Sequence, residues 1–269
     1  AGILVGSGLL LLIIGIFIAR QYTLRAKLVT AFLVIVLTSL SVLAVLDGYI
    51  MSESLATGAN KSLASAARNY ARRIDQFNQQ NIQFLRTEAK LSAINDFLTR
   101  KSPSYSRQSM LEILRALKSR QSDVILSYAI LDTQGINIID TESENIGQDE
   151  SAYSYFSALI EDKNARTFRS PVLFEEHGPI ITFSSLVSDL TGKPIGVLRA
   201  RYDATILQSL IDRPQGVVGP GSFAVLLDEN GMRLVHGRRS GLRYTLAREV
   251  DEQRLAELKE AKRIPQMAN

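Results

Sequence analysis

The chain has 269 residues, no cysteine and two histidines, and its 31 basic and 27 acidic residues give a formal net charge of +4. The lack of cysteine excludes thiol catalysis, thiolate metal sites and disulfides, and two histidines far apart in sequence do not supply a catalytic triad or a multi-histidine metal site. Because the basic residues are scattered rather than clustered, we predict no nucleic-acid-binding surface.

Two uncharged apolar segments open the chain. Ile3–Ala19 and Leu28–Leu46 contain 17 and 19 residues without a charge. A helix needs about 20 apolar residues to cross a bilayer core. We therefore predict transmembrane helices over residues 1–19 and 28–47, with the lipid bilayer as a partner. The alternative is a buried core helix or, for the first segment, the apolar core of a signal peptide.

The connector between these segments, residues 20–27, predicts their orientation. It carries Arg20, Arg25 and Lys27 and no acidic residue. Connectors rich in basic residues stay in the cytoplasm. We therefore expect a multi-pass protein of the plasma (inner) membrane whose residues after 47 are extracytoplasmic.

A long stalk helix is predicted over residues 48–101. No proline occurs in this range before Thr99, and apolar residues recur every seven positions, which keeps them on one helix face. The recurring residues are Leu63, Tyr70, Phe77, Phe84, Leu91 and Leu98. We expect Leu63 to Phe77 to pack on a second copy, giving a homodimer. From Phe84 to Leu98 the alternatives are the same dimer or a cover for the chain's own sheet.

Beyond the stalk the pattern changes to that of an antiparallel sheet, so the predicted fold class is α+β. An amphipathic helix with Met110 and Leu117 on its apolar face comes first. Strands are then indicated by β-branched or alternating segments bounded by turn residues. The predicted strands are Val124–Leu131, Ile136–Ile139, Ile180–Val187 and Pro194–Tyr202, with helices over Ser151–Asp162 and Asp203–Ile211.

The same unit begins a second time further along the chain. The turn Asp132-Thr133-Gln134-Gly135 has a counterpart in Asp228-Glu229-Asn230-Gly231, and 228 minus 132 gives an offset of 96 residues. The second turn is flanked by the predicted strands Phe223–Leu227 and Met232–Val235 and followed by a predicted helix over Asp251–Lys262. Repetition of a whole unit indicates a repeated module. We predict one complete module and the start of another.

The order of these elements resembles the double Cache sensor domains of bacterial receptors, which are PAS-like. The resemblance covers residues 48–269 and is carried by DTQGINIID, by the helix with Ala152-Tyr153-Ser154-Tyr155-Phe156, and by GPIITFSSLVSDLTGKPIGVLRARYD. The segment GKPIGVL is its most specific part.

This resemblance implies domains and a function. Residues 105–212 would form the membrane-distal Cache module and residues 213–269 an incomplete membrane-proximal one, in a chain truncated at both ends. The function implied is extracytoplasmic ligand sensing for a signal-transduction receptor, a two-component sensor histidine kinase being the favoured output. The alternative is a protein-docking or structural ectodomain of a nucleotide cyclase, diguanylate cyclase or chemoreceptor without a small-molecule ligand.

A ligand of a PAS-like module binds between the sheet and the segments that cover it. The predicted ligand-binding residues are Tyr153, Tyr155, Arg166, Arg169, Phe183, Ser185, Arg199 and Arg201, with Tyr128 and Phe156 as further candidates. Cache domains that bind amino acids resemble this chain but have an aspartate at the position of Arg201. Because guanidinium groups hold carboxylates well, we expect an anionic ligand, such as an organic acid, near Arg201 and Arg169. The alternatives are core packing for the aromatic residues and a solvated surface for the arginines.

No enzymatic machinery is predicted in this chain. Glu175 and Glu176 are adjacent and would point to opposite faces of an extended segment, so they do not form a catalytic pair. The segment GVVGPGS, Gly216–Ser222, is typical of a linker and not of a phosphate-binding loop. We expect no catalytic residue, no metal and no cofactor.

Overall fold

The computed structural model describes residues 23–99, 106–121, 123–162, 164–176, 178–211, 219 and 221–265. The predicted first membrane span, residues 1–19, lies outside the described residues. The contacts divide the chain into two units, one ending at Ser65 and the other beginning at Ala66.

The first element, α1, is one helix over Leu24–Glu88. It contains the predicted second membrane span, and it is the one helix among the described residues that is long and apolar enough to cross a membrane. Large apolar side chains in this part, such as Phe32 and Leu40, are exposed. Because water disfavours such a continuous apolar surface, a lipid bilayer is the environment that suits this part of α1.

The helix α1 ends earlier than the predicted stalk. It stops at Glu88, and a short turn leads to a second helix, α2, over Ser92–Thr99. The carboxylate of Glu88 accepts a hydrogen bond from the Tyr128 hydroxyl at 2.9 Å, while Ile94 in α2 is fully buried. The turn after Glu88 changes the direction of the chain, and α2 beyond it buries Ile94 in the core.

A six-stranded antiparallel sheet follows a third helix, α3, over Arg107–Ser119. The strands are β1 Ile125–Leu131, β2 Asn137–Asp140, β3 Thr167–Arg169, β4 Leu173–Glu175, β5 Gly178–Ser188 and β6 Pro194–Asp203. Their order in the sheet is β2-β1-β6-β5-β3, and β4 also pairs with β5. Two of these strands, β3 and β4, were not predicted from the sequence. The helices of this part are α4 Ser154–Glu161, between β2 and β3, and α5 Ile206–Ile211, after β6.

One face of the sheet packs on α1 and is called the stalk face here. The ring of Phe77 from α1 lies 6.0 Å from that of Phe183 and 6.1 Å from that of Tyr202, and the Tyr202 hydroxyl donates to Asn81 at 2.9 Å. Phe77 therefore covers the chain's own sheet and not a second copy, contrary to our expectation. Leu63 and other recurring stalk residues remain exposed.

The opposite face, called the outer face, is covered by α4. Residues on a strand alternate between faces, so Arg199 and Arg201 lie on the outer face while their neighbours Ala200 and Tyr202 lie on the stalk face. An apolar cluster packs on the outer face. Its buried members are Leu131, Tyr155, Phe156, Leu159 and Val197.

The hairpin segment, residues 221–265, repeats the first hairpin. It contains β7 Val225–Leu227, β8 Arg233–His236 and a helix, α6, over Glu252–Glu260. In the first turn Oδ1 of Asp132 accepts two backbone N–H groups at 2.9 Å, and Oδ1 of Asp228 accepts the two equivalent groups at 2.9 and 2.8 Å. The offset of 96 residues therefore reflects a repeated local structure.

Candidate functional site

Arg199 lies at the centre of a buried polar cluster on the outer face. Its side chain is fully buried, and Nη2 lies 2.6 Å from Oδ2 of Asp140 and 3.1 Å from Oε1 of Glu150. Its Nε is 3.0 Å from Oε2 of Glu150, an ion-pair contact without hydrogen-bond alignment. A buried cation is stable only when paired in this way. Arg199 is therefore already held by two carboxylates of its own chain.

Other side chains join this Arg199 cluster, among them Ser127, whose Oγ accepts a hydrogen bond from Nη1 of Arg199 at 2.9 Å. The amide of Asn137 donates to Asp140 at 3.0 Å and to Glu150 at 2.9 Å, and the hydroxyl of Tyr155 donates to Glu150 at 2.7 Å. Burial raises the pKa of Tyr155 well above its usual value, although the nearby Arg199 opposes this shift. The Tyr155 hydroxyl thus stays protonated and keeps its role as a donor.

Arg201 is a second guanidinium on this face, and its contacts are weaker. Its Nη1 lies 3.6 Å from Oε2 of Glu175, and its side chain is 13% exposed. Burial alone would lower the pKa of Arg201, but attraction to Glu175 and contact with Tyr155 outweigh burial and raise it. Arg201 therefore stays charged with an ion-pair partner at a longer distance than those of Arg199.

Three buried polar atoms around Arg201 have no hydrogen-bond partner within the described part of the chain: Nε of Arg201, Oε1 of Glu175 and Oγ1 of Thr182. Thr182 lies directly opposite Arg201 in the β5–β6 register. Buried polar groups are almost always paired, so these three atoms show that the polar groups around Arg201 are incompletely paired.

The structure brings four of the predicted ligand-binding residues together. Tyr155, Arg199 and Arg201 meet on the outer face, and the ring of Tyr153 stacks on that of Tyr155 with centroids 5.2 Å apart. The side chain of Arg166 is exposed instead. The structure thus shows that these four residues are neighbours. That they bind a ligand stays a prediction.

The remaining predicted residues lie on the stalk face. Arg169 pairs with Phe183 in the β3–β5 register, so these two share a face with Ser185. Burial lowers the pKa of Arg169, and nearby Arg263 of the hairpin segment adds to this shift while Glu229 opposes it. By strand register Arg169 lies on the face of the sheet opposite Arg201, so the structure does not bring these two arginines together, contrary to our expectation. Whether a side chain lies above or below a sheet depends on strand register, which the sequence did not fix for β3.

The acidic partners of the two arginines were missed in the sequence. Asp140 and Asn137 occur in the otherwise apolar strand NIID, and a polar residue in a buried strand is a sign of a buried partner. Glu150 and Glu175 carry no such signal, because each lies outside a regular apolar pattern.

No protein-family model and no curated protein matches this chain in sequence. Solved structures do match it in fold. The sensor domain of the histidine kinase DctB from V. cholerae superposes with a TM-score of 0.61 and 12% identity, covering 74% of each chain. The ligand-binding domain of the Campylobacter jejuni chemoreceptor Tlp3, in complex with 4-methylisoleucine, gives a TM-score of 0.56 and 14% identity over 77% of this chain and 79% of Tlp3.

The chain therefore shares its fold with sensor domains of histidine kinases and chemoreceptors. The predicted α+β class and the predicted resemblance to Cache sensor folds are confirmed at the level of the fold. At sequence identities this low, the similarity shows a shared fold. A shared fold does not identify the ligand or the output domain.

Proposed function

We propose that this chain is the ligand-sensing region of a membrane signal-transduction receptor, with a small anionic ligand bound beside Arg201. The observation that carries this proposal is the incompletely paired guanidinium of Arg201, which lies on the outer face of a fold found in sensor domains. A ligand carboxylate would give Arg201 the short paired hydrogen bonds that Glu175 at 3.6 Å does not supply. Organic acids are the ligand class that fits this requirement.

The contacts of β6 support a route from this site to the stalk. Arg201 and Tyr202 are consecutive, so a shift of Arg201 also moves Tyr202, whose hydroxyl donates to Asn81 of α1. On the next strand Tyr128 donates to Glu88 at the end of α1. We propose that ligand binding changes how the sheet packs on α1, and that this small change is the signal.

The apolar part of α1 supports a place in the membrane. We propose a plasma-membrane protein with spans over residues 1–19 and 28–47, a cytoplasmic connector over 20–27, and extracytoplasmic residues after 47. On this basis residues 105–212 are the membrane-distal module, residues 213–269 the start of a membrane-proximal one, and a sensor histidine kinase is the favoured output. The chain itself acts as a sensor and not as an enzyme.

Calorimetric titration tests the ligand. The full chain in detergent is titrated with a panel of organic acids and, separately, with branched amino acids. We expect an organic acid to bind and Arg201→Ala to weaken it by about tenfold or more, the loss of one charged hydrogen-bonded pair. Arg201→Lys keeps the charge but loses the paired geometry and should fall between the two.

The control for this titration is Arg238→Ala, which removes an exposed arginine from the hairpin segment. It should bind the acid as the wild type does. Equal affinity of the wild type and Arg201→Ala would contradict the role of Arg201, and binding of amino acids alone would contradict an anionic ligand.

A second candidate function is favoured by the packing of the outer face. The apolar cluster of Leu131, Tyr155, Phe156 and Val197 fills the face beside the Arg199 cluster with the chain's own side chains. This packing suits a protein-docking or structural ectodomain that needs no small molecule. Absence of binding heat across the whole panel would favour this second function.

A further inference from the structure

The helix α6 ends in an unusual C-cap. The N–H of Arg263 donates to the carbonyl of Leu258 at 2.8 Å, and that of Lys262 to the carbonyl of Lys259 at 3.0 Å, which are the two bonds of a Schellman motif. The motif needs one left-handed residue, and glycine is the usual choice because it has no Cβ. Here Lys262 adopts that conformation, with a φ of 55°. A left-handed lysine is uncommon, which makes the contacts of its side chain worth following.

The side chain of Lys262 reaches the tyrosine pair beside the candidate site. Its Nζ lies 3.1 Å from Oη of Tyr153 and 5.2 Å from the centre of the ring. Tyr153 stacks on Tyr155 with an interplanar angle of 16°, and Tyr155 donates to Glu150 of the Arg199 cluster. Three consecutive contacts thus connect the hairpin segment to the buried charges of the outer face.

The main chain of Lys262 holds a second element of the same site. Its carbonyl accepts the N–H of Phe174 in β4 at 2.7 Å, and the ring of Phe174 meets Tyr244 of the hairpin segment edge-on at 5.3 Å. The next residue in β4 is Glu175, the ion-pair partner of Arg201. Lys262 therefore contacts Tyr153, which stacks on Tyr155, and Phe174, which precedes Glu175, so it reaches the neighbours of two side chains beside Arg201.

We infer that Lys262 is a positioning residue that couples the hairpin segment to the site around Arg201. A ligand that pairs with Arg201 displaces Glu175 or Tyr155. Because both are connected to Lys262 through its contacts with Phe174 and Tyr153, the ligand also changes how α6 packs on the rest of the domain. Linkage makes this effect reciprocal, since the seating of α6 then changes ligand affinity by the same factor. The ligand half of this inference rests on the proposed function, whereas the coupling of Lys262 to α4 does not.

Hydrogen–deuterium exchange of the full chain in nanodiscs tests the coupling without a ligand. Lys262→Met keeps the length and the left-handed backbone but removes the ammonium group. Lys262→Gly also removes the side chain and favours the left-handed backbone, so it stabilises the C-cap while breaking the contact with Tyr153. Lys259→Met, in the last turn of α6, is the control.

We expect both Lys262 variants to raise exchange in α4 by about three- to tenfold, the loss expected for a charged hydrogen bond with a cation–π contact. Lys259→Met should leave exchange in α4 unchanged, and Lys262→Gly should leave α6 as protected as in the wild type. Unchanged exchange in α4 in both Lys262 variants overturns the coupling, whatever the chain binds.

The ligand arm uses whichever organic acid the calorimetric panel identifies. We expect the acid to bind Lys262→Met with a Kd changed by at least about threefold, and to protect the last turn of α6 in the wild type but not in this variant. An identical Kd in the two proteins overturns the ligand half. If no acid binds but α4 still responds to Lys262→Met, the coupling holds and the proposed ligand is wrong.

Discussion

At the scale of single residues, Arg199 and Arg201 show how one strand face can hold two different kinds of arginine. Arg199 is fully buried against two carboxylates at 2.6 and 3.0 Å, whereas Arg201 has one carboxylate at 3.6 Å. Because a buried charge must be compensated to be stable, the pairing of Arg199 serves the structure, whereas Arg201, with its longer contact, is the arginine that we propose for a ligand. The two differ by two positions in sequence, and only their partners distinguish them.

The stability of the Arg199 cluster can be measured by removing Asp140. Arg199 would keep Glu150 as a partner. The buried hydrogen bonds that Arg199 and Asn137 donate to Asp140 would be lost, however, and a hydrogen bond to a charged group contributes about 1.5–3 kcal/mol. We expect Asp140→Ala to lower the free energy of unfolding by this amount in a urea titration followed by circular dichroism.

The matched control for Asp140→Ala is Glu142→Ala, two residues further on. Glu142 pairs with Lys118 at 2.8 Å on the surface, where its side chain is 53% exposed. Exposed ion pairs contribute at most about 1 kcal/mol, so this variant should unfold almost as the wild type does. Similar losses for the two variants would show that Arg199 does not depend on Asp140.

At the scale of elements, the two repeated hairpins have the same turn but different surroundings. Gly135 and Gly231 both have positive φ values, 90° and 79°, which disfavour any residue with a Cβ. A Cβ on Gly135 would lie 2.7 Å from Cα of Ser151, whereas one on Gly231 would meet nothing closer than Arg248 at 3.8 Å. The first turn is therefore closely packed and the second is not.

Alanine substitution should separate these two turns. The left-handed backbone alone costs roughly 1–2 kcal/mol with a Cβ, so we expect this loss of stability for Gly231→Ala. Gly135→Ala should lose clearly more, because backbone atoms near Ser151 must also move. Urea titrations of the two variants provide the measurement, and an equal loss would contradict the close approach of Ser151.

Strands with local sequence signals were predicted, and strands that depend on tertiary contacts were not. Strands β1, β2, β5 and β6 were predicted to within two residues, because alternation and turn residues are local signals. The short strands β3 and β4 were missed because their pairing with β5 is set by tertiary contacts. The same gap misplaced Arg169, since a face cannot be assigned to a strand whose register is unknown.

At the scale of the whole molecule, the stalk helix α1 has different surroundings along its length: one part contacts the chain's own sheet and another part is exposed. Phe77 and Asn81 bind the sheet, and Glu88 receives the hydroxyl of Tyr128. Further towards the N-terminus, Leu63 is 48% exposed. Large apolar residues of α1 between Leu24 and Leu55 are exposed as well. A heptad residue that finds no partner in its own chain is a candidate for contact with a second copy.

Cysteine cross-linking tests a homodimer through this part of the stalk. Because the chain has no cysteine of its own, Leu63→Cys introduces a single thiol on the heptad face, and Ser65→Cys places one about 200° around the helix. In membranes under mild oxidation we expect Leu63→Cys to form a disulfide-linked dimer several-fold faster than Ser65→Cys, since only the heptad face brings two copies together. Equal rates for the two positions would indicate random collision, and the stalk would then carry signals within a single chain.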